Sequence, residues 1–501
     1  MTGSICRYAP EKRAAAYEDF LRRFPAYAGT AAVDELRAAD YARLDRLGHT
    51  YLDYTGGGLY AESQLRRHHD VLSGAVLGNP HSQSPTSLAS ADLAREARDA
   101  VRRFFNAPED EFEIVFTANA SGALKLVGEA YPFAPGGVYQ LSYDNHNSVN
   151  GIREFAARKG AAVSYIPVRE DDLRLDPEQV GTALRGAGDG APKLFAYPAQ
   201  SNFSGVQHPL EWVAEARELG WQVVLDCAAF APTNPLDARA VGADFIPVSF
   251  YKLFGYPTGA GCLIARREAL AGLRRPWFAG GTITLASVQE EDWYRLAPGA
   301  TGFEDGTIDF LGLPAVTIGI EHLESVGVAL IHQRVQALAG WLLEELADLR
   351  HGDGSPLVRV FGPRDTERRG ATVALYIVAP DGRPYDVYDV ERAAAEALIS
   401  VRSGCFCNPG DGEVAHRITH DEMEQCFKDP AAAVTLLQCQ QVIEDATGKV
   451  PNTIRVSLGL ASDFGDVYRF MAFAENYGDR PAAQGDGRRR PLTPGAPATS
   501  H

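Results

Sequence analysis

Residues 223–255 read VVLDCAAFAPTNPLDARAVGADFIPVSFYKLFG. The segment contains two short apolar runs; Asp226 ends the first, and Ser249 and Lys252 follow the second. Apolar runs of this length are typical of strands that are buried on both faces of a parallel sheet. Functional side chains of such sheets collect where the strands end. The segment therefore predicts that Asp226 and Lys252 reach the same crevice.

The same pattern extends from about residue 51 to residue 275, where β-rich runs alternate with helical stretches. This alternation predicts an α/β fold with a mainly parallel, seven-stranded sheet that is covered by helices on both faces. The predicted strands are Glu113–Thr117, Gly137–Leu141, Ala162–Ile166, Lys193–Tyr197, Gln222–Leu225, Phe245–Ser249 and Cys262–Ala265.

The rest of the chain predicts three further parts around this large domain, which we place at residues 46–310. Residues 1–45 have helical periodicity and are expected to pack on a smaller α+β domain at residues 311–478. Residues 479–501 are rich in Pro, Gly, Arg and Ala, and we expect a disordered tail there.

Composition narrows the class of partner. The 501 residues carry a net charge of -17, which disfavours nucleic acid or an anionic membrane and favours a small metabolite. No apolar run is long enough to span a bilayer and residues 1–24 lack a signal-peptide core, so we expect a cytoplasmic protein. The seven cysteines are odd in number and scattered, which predicts reduced thiols.

A lysine and a carboxylate in one crevice suit pyridoxal 5'-phosphate (PLP). The amine of Lys252 can bind the aldehyde, and Asp226 can pair with the ring nitrogen. Residues 117–123 follow a strand and open a helix, so Ser121 and Gly122 can hold a phosphate at the helix N-terminus, with Ser249 as a further donor. The alternatives are an ordinary surface lysine and a serine that only caps its helix.

Eight segments, in order along the chain, match one family of proteins. The chain resembles the PLP-dependent N-terminal half of the molybdenum cofactor sulfurases and, more distantly, the cysteine desulfurases, both of aminotransferase class V. The resemblance implies PLP fold type I. The matching segments are Tyr51–Tyr54, Gly78–Ser82, Phe116–Glu129, His146–Glu154, Leu225–Gly261, Phe303–Thr307, Ser403–Gly410 and Ile454–Leu458.

The resemblance implies roles for individual residues. Lys252 is similar to the Schiff-base lysine, Asp226 to the partner of the ring nitrogen, and His146 to the histidine that stacks on the ring. A solvated loop histidine is the alternative for His146. Arg455 resembles the arginine that binds the substrate carboxylate, with Asn202 and Arg402 as further substrate contacts. The cofactor contacts implied are Ser121, Gly122, His146, Asn202, Asp226, Ala228, Ser249, Tyr251, Lys252, Thr282 and Thr307.

Two of these cofactor contacts imply a second subunit. Thr282 and Thr307 match positions that approach the phosphate from the neighbouring subunit of such dimers. We therefore expect a homodimer.

The Ser403–Gly410 segment resembles the loop that carries the desulfurase nucleophile, which its register places at Cys407. A thiolate there attacks the sulfur of the substrate and leaves a persulfide on the enzyme. Cys405 and Cys407 instead fill space in one alternative. In another, they bind zinc with His416 and His420. Asp411 stands in a stretch where some of the sulfurases have another cysteine.

These observations predict an enzyme that mobilises sulfur from L-cysteine, or a related sulfur amino acid, through a persulfide on Cys407. One alternative is a PLP-dependent C–S lyase or another β-elimination enzyme, in which Cys407 is idle. The other is a protein of this fold that has lost its chemistry and serves as a binding partner.

Overall fold

The computed structural model describes residues 6–188, 190–428 and 435–482. The predicted tail, 479–501, lies outside the described residues from residue 483 onward. The strands of the described part, in chain order, are β1 (Thr50–Tyr51), β2 (Phe112–Thr117), β3 (Val138–Ser142), β4 (Ala162–Ile166), β5 (Lys193–Pro198), β6 (Gln222–Asp226), β7 (Phe245–Ser249), β8 (Gly261–Arg266), β9 (Ile283–Ala286), β10 (Tyr294–Leu296), β11 (Val358–Phe361), β12 (Thr372–Ile377), β13 (Ile399–Ser400), β14 (Arg402–Gly404) and β15 (Thr453–Ser457).

The helices of the described part, in the same order, are α1 (Arg13–Arg23), α2 (Ala31–Asp40), α3 (Arg43–Arg46), α4 (Glu62–Gly74), α5 (Pro85–Phe104), α6 (Ala120–Ala130), α7 (Asn147–Asn150), α8 (Ile152–Arg158), α9 (Pro177–Arg185), α10 (Trp212–Glu218), α11 (Ala238–Val241), α12 (Phe250–Phe254), α13 (Arg267–Gly272), α14 (Leu313–Val326), α15 (Val328–Asp348), α16 (Val387–Glu396), α17 (Pro409–Ala415), α18 (His420–Phe427), α19 (Leu436–Thr447) and α20 (Phe464–Glu475). Short 3-10 helices occupy Pro10–Lys12, Pro25–Thr30 and Gly299–Phe303.

A seven-stranded sheet forms the centre of the large domain, in the order β2-β8-β7-β6-β5-β3-β4. Strand β8 is antiparallel to both of its neighbours, and the other pairs are parallel. Every residue of β5 and β7 is buried, since helices cover both faces. The mainly parallel α/β sheet expected from the sequence is confirmed.

A second, antiparallel sheet has the order β11-β12-β15-β14. A segment near the start of the chain reaches this sheet, because Asp53 bridges to Ser457 at the end of β15. The preceding strand, β1, pairs with β13 in a separate two-stranded sheet. The end of β15 and Arg402 of β14 therefore lie close to residues 52–55. The division into domains at residues 46, 311 and 479 remains a prediction.

The N-terminal helices pack on helices from the end of the chain. Phe20 is fully buried and stacks on Phe464, with the ring centroids 5.0 Å apart. The Tyr8 hydroxyl donates to the buried carboxylate of Glu345 at 2.7 Å. Apolar burial of this kind is the main favourable contribution to folding.

The expectation that all of the cysteines are reduced thiols is wrong. Cys426 and Cys439 form a disulfide between α18 and α19, which bring their Cα atoms to 5.2 Å. Their sequence separation carried no signal, because the contact depends on how the two helices pack. The other cysteines of the described residues are free thiols: Cys6, Cys227, Cys262, Cys405 and Cys407.

None of the described helices is by itself both long enough and apolar enough to span a membrane. Helices α14 and α15 have the length and composition of a span only when they are taken together, and they are bent by 66° where they join.

Candidate active site

A cavity of about 160 Å³ opens where strands β5, β6 and β7 end and where helix α6 begins. Such an edge is where parallel α/β sheets bind their ligands. Eight of the predicted site residues line it, namely Ser121, His146, Asn202, Asp226, Ala228, Ser249, Tyr251 and Lys252. Seven lining residues were not predicted: Asn119, Ala120, Leu124, Ser148, Pro198, Gln200 and Ala229.

Lys252 projects into this cavity from the short helix α12, which follows β7 directly. Enclosure by the protein lowers the pKa of Lys252, and the nearby carboxylate of Asp226 opposes the change. A lowered pKa favours the neutral amine, which is the nucleophilic form that condenses with an aldehyde.

Asp226 and His146 form two further sides of the cavity. Asp226 ends β6, is buried, and accepts a hydrogen bond from the Ala228 N–H at 3.0 Å. The Nδ1 atom of His146 accepts from the Ser148 N–H at 3.1 Å, and burial lowers the pKa of His146 while Asp226 opposes it. A neutral imidazole and a buried carboxylate suit the face and the nitrogen of a pyridinium ring.

Hydroxyl groups and a helix N-terminus form the far end of the cavity. The Ser121 and Ser148 hydroxyls are 2.6 Å apart, and the Ser249 hydroxyl accepts from the Ala120 N–H at 2.9 Å. The Gly122 N–H is already bonded to the Asn119 side chain, which caps α6. Three convergent hydroxyls at the start of an eleven-residue helix suit a phosphate. The residues present therefore fit PLP.

Asp53, which was not predicted as a site residue, connects the two predicted substrate arginines. Its carboxylate accepts from buried Arg455 at 2.9 Å and from Arg402 at 2.6 Å. Arg455 also donates to the Asn202 carbonyl at 3.0 Å. Arg402 is about half-exposed and directs its guanidinium at Asp53, so its contact with substrate remains a prediction.

The loop that carries Cys407 lies against the same cavity. The Cys407 carbonyl accepts from the Asn147 N–H at 2.7 Å, and the Asn202 side chain donates to the Phe406 carbonyl at 2.7 Å. The guanidinium of Arg455 lies 4.6 Å from the centroid of the Phe406 ring. These contacts place the loop beside His146, Asn202 and Arg455 together.

The two cysteines of this loop differ in exposure. Cys407 is exposed, whereas Cys405 is partly buried and burial raises its pKa. A raised pKa keeps the Cys405 thiol protonated and weakly nucleophilic. The geometry thus favours Cys407 as the reactive thiol.

The zinc alternative has no support within the described part of the chain, where no cluster of His, Cys, Asp and Glu has the arrangement of a metal site. His416 is buried, hydrogen-bonds the Tyr376 hydroxyl at 2.6 Å, and has its pKa lowered to about 3 by burial. His420 points into solvent.

Thr282 and Thr307 do not line the cavity formed by the described residues of this chain. Their segments lie side by side, because the Gly306 N–H donates to the Gly280 carbonyl at 2.9 Å. Thr307 is exposed and accepts from Asn79 at 3.2 Å. Their contact with a phosphate in a neighbouring subunit remains a prediction.

The sequence carried weak signals for the residues that were missed. Ser148 lies two residues after His146, so a search for hydroxyls near that histidine identifies it. Asp53 stands beside a Gly56-Gly57-Gly58 turn, and a Cβ atom at Gly56 would lie 2.5 Å from its carboxylate. Nothing in the sequence indicated its pairing with Arg455.

Comparisons with known proteins agree with this geometry. The model of the family Aminotransferase class-V matches residues 50–470. Among curated proteins, the molybdenum cofactor sulfurase of Solanum lycopersicum is 34% identical over 92% of this chain and 59% of its own length. The human molybdenum cofactor sulfurase is 33% identical over 91% of this chain and 53% of its own. The chain thus spans little more than half the length of these relatives.

Solved structures share the fold. The apo structure of a cysteine desulfurase from Thermococcus onnurineus NA1 has a TM-score of 0.71 at 24% identity, covering 88% of this chain and 97% of that one. The cystine C–S lyase C-DES, in complex with its reaction product cysteine persulfide, has a TM-score of 0.65 at 17% identity, covering 86% of this chain and 98% of that one.

Proposed function

Since this chain belongs to the class-V aminotransferase family, we propose that it is a PLP-dependent enzyme that mobilises sulfur from L-cysteine through a persulfide on Cys407. The observation that supports this most is a convergence. The enclosed amine of Lys252 and the buried carboxylate of Asp226 line one cavity, and the loop that carries the exposed thiol of Cys407 is hydrogen-bonded to Asn202 of the same cavity.

Bound PLP supplies an electron sink that stabilises negative charge on the substrate carbon. Lys252 would hold the cofactor through its amine, and the same amine would move the proton of the substrate α-carbon. Asp226 would keep the ring nitrogen of PLP protonated, and His146, as a neutral imidazole, would pack on the ring. The hydroxyls of Ser121 and Ser249 orient the phosphate.

Arg455 and Cys407 act on the substrate itself. The guanidinium of Arg455 binds the carboxylate of cysteine, which fixes the substrate sulfur on the side of the nucleophile loop. The Cys407 thiolate then forms a bond to that sulfur while the carbon–sulfur bond breaks, and the electron pair of the broken bond stays with the substrate carbon, which is protonated. The sulfur remains on Cys407 as a persulfide, and the carbon skeleton leaves as alanine.

The homodimer is part of the same proposal. Hairpin β9–β10 exposes the apolar side chains of Leu285, Val288 and Trp293, close to the segments that carry Thr282 and Thr307. Exposed apolar surface of this kind marks contact sites between proteins. We propose that the hairpin packs against a second copy of the chain in a homodimer. We also propose that the protein acts in the cytoplasm.

The test compares wild type with Cys407→Ala and, as a matched control, Cys6→Ala, an exposed cysteine at the opposite end of the chain. Purified protein receives L-cysteine, and alanine, sulfide and pyruvate are measured together. We expect Cys407→Ala to abolish alanine formation and Cys6→Ala to leave it unchanged. Undiminished turnover to pyruvate by Cys407→Ala would instead establish a C–S lyase and contradict the proposal.

A further inference from the structure

A buried carboxyl group lies four residues after the proposed nucleophile. Asp411, in the first turn of α17, is fully buried. Its Oδ2 atom accepts from the Ser201 hydroxyl at 2.5 Å and from the Ser204 hydroxyl at 3.3 Å. Both serines belong to the loop that follows β5, on either side of Asn202. A single oxygen thus joins the nucleophile loop to the sheet that carries the cofactor cavity.

Asn408 extends this connection. Its side-chain amide donates to the Asp144 carbonyl at 2.9 Å and to Asn202 Oδ1 at 3.2 Å, and its own oxygen accepts from the Asp411 N–H at 3.1 Å. The approach is close: a Cβ atom at Gly410 would lie 2.0 Å from the Tyr143 carbonyl oxygen. The loop is therefore fixed on its C-terminal side by hydrogen bonds to the loops that follow β3 and β5.

We propose that Asp411 is a positioning residue, which holds the Cys407 loop against the cofactor cavity through Ser201 and Asn408. The expected effect of Asp411 on the rate of alanine formation rests on the proposed function. Its expected effect on the order of the loop rests on the observed contacts alone. Asp411 does not line the cofactor cavity that the described residues form, and it acts through the loop that carries Cys407.

The surroundings of Asp411 favour the neutral form of its carboxyl group. The Asp144 carboxylate lies nearby and is itself bonded to His208 Nε2 at 2.7 Å. Glu413, two residues further along α17, accepts a hydrogen bond from the Tyr143 hydroxyl. No basic side chain of the described residues donates to Asp411, and its Oδ1 atom is buried without a partner. Burial, followed by the Asp144 carboxylate, raises the pKa of Asp411 well above its usual value.

The protonation state determines whether the loop stays in place. In the neutral form, the carbonyl oxygen of Asp411 still accepts hydrogen bonds from Ser201 and Asn408, and no negative charge is buried. An ionised Asp411 would bury a second negative charge beside Asp144, which is unfavourable. The loop should therefore be ordered below the raised pKa of Asp411 and should loosen as the pH rises through it.

The experiment uses hydrogen–deuterium exchange of the peptide that spans residues 403–412, together with steady-state kinetics. The variants are Asp411→Asn, which is neutral and isosteric, Asp411→Ala, and Ser201→Ala. Asp421→Ala, an exposed aspartate of α18, is the control. At neutral pH we expect Asp411→Ala to speed exchange about tenfold and Ser201→Ala to speed it less, because buried hydrogen bonds limit local opening. Asp411→Asn and Asp421→Ala should match wild type.

The kinetic and pH results separate positioning from a general loss of structure. Asp411→Ala should lower the kcat for alanine formation about tenfold or more with little change in KM, since a displaced nucleophile costs rate and not binding. Wild type should lose exchange protection at alkaline pH, after correction for intrinsic rates, whereas Asp411→Asn should keep it.

The proposal is overturned if Asp411→Ala exchanges like wild type, if Asp411→Asn exchanges like Asp411→Ala, or if wild type and Asp411→Asn have the same alkaline profile. If Asp411→Ala does not fold, the last comparison still decides. Absence of alanine from wild type with the exchange pattern intact would reject the proposed function and leave the positioning role standing.

Discussion

The cofactor cavity and the Cys407 loop lie against each other, but they are held in place by different means. Asp226 and Ser249 end two neighbouring strands of the large sheet, and Lys252 lies in the short helix that directly follows the second of them. The loop has no such support. Phe406 and Cys407 both have left-handed backbone, at φ 57°, and side chains such as Asn202 and Asn408 hold it.

Because the two regions are held differently, substitutions in each of them should impair the reaction in a different way. A residue that projects from a rigid sheet acts directly on the cofactor, so its loss should stop all cofactor chemistry. A residue of the loop should affect only the step that needs the nucleophile. Left-handed conformations of residues other than glycine persist only where neighbouring contacts impose them, which makes the loop the more sensitive region to indirect changes.

The largest effect should come from Lys252→Ala. Loss of the amine removes the covalent attachment of PLP and the base for the α-proton, so turnover should fall by about 10³-fold or more. The visible absorbance of the lysine-bound cofactor should disappear as well. Lys125→Ala, an exposed lysine of α6, is the control and should keep both. Retention of that absorbance in Lys252→Ala would show that the sheet does not place the cofactor as we infer.

The sheet could be predicted from the sequence and the loop could not, for a physical reason. Strands such as β5 and β7 are buried on both faces, so their apolar character is continuous and marks their limits to within about a residue. The positions of Asp226 and Lys252 at one edge follow from that topology. Each of these inferences depends on residues close together in the chain.

The missed features all depend on distant contacts. Asp53 lies 402 residues from Arg455, and their pairing requires β15 to lie beside the segment that follows β1. Asp411 is bonded to Ser201 across 210 residues. The disulfide between Cys426 and Cys439 depends on helix packing. Local patterns carry no information about such pairs.

The substitution Arg455→Lys should have a smaller effect on turnover. Arg455 lies between the cofactor cavity and the Cys407 loop. Lysine keeps the charge but loses the planar fork that holds Asp53 and the Asn202 carbonyl, and its donors do not match a carboxylate in two places. We expect the KM for cysteine to rise roughly 10- to 100-fold with the cofactor absorbance unchanged, as expected for loss of charged hydrogen bonds.

Arg402→Lys is the matched control for this change, because Arg402 binds the same Asp53 carboxylate from a half-exposed position. Its effect on KM should be clearly smaller. Equal effects of the two substitutions would mean that both arginines bind substrate, as the resemblance implied, and would remove the distinction that we make between them.

The smallest effect should come from Cys405→Ser, compared with Cys407→Ser. The two cysteines are two residues apart in the same loop, but Cys405 faces inward with its pKa raised by burial, and Cys407 faces solvent. A protonated thiol is a poor nucleophile, so Cys405→Ser should lower kcat by less than about threefold, whereas Cys407→Ser should remove alanine formation. Mass spectrometry of the protein after one turnover, without an acceptor, should place the additional sulfur on the peptide of Cys407. If Cys405→Ser alone removes that sulfur, the inward-facing thiol is the carrier and our orientation of the loop is wrong.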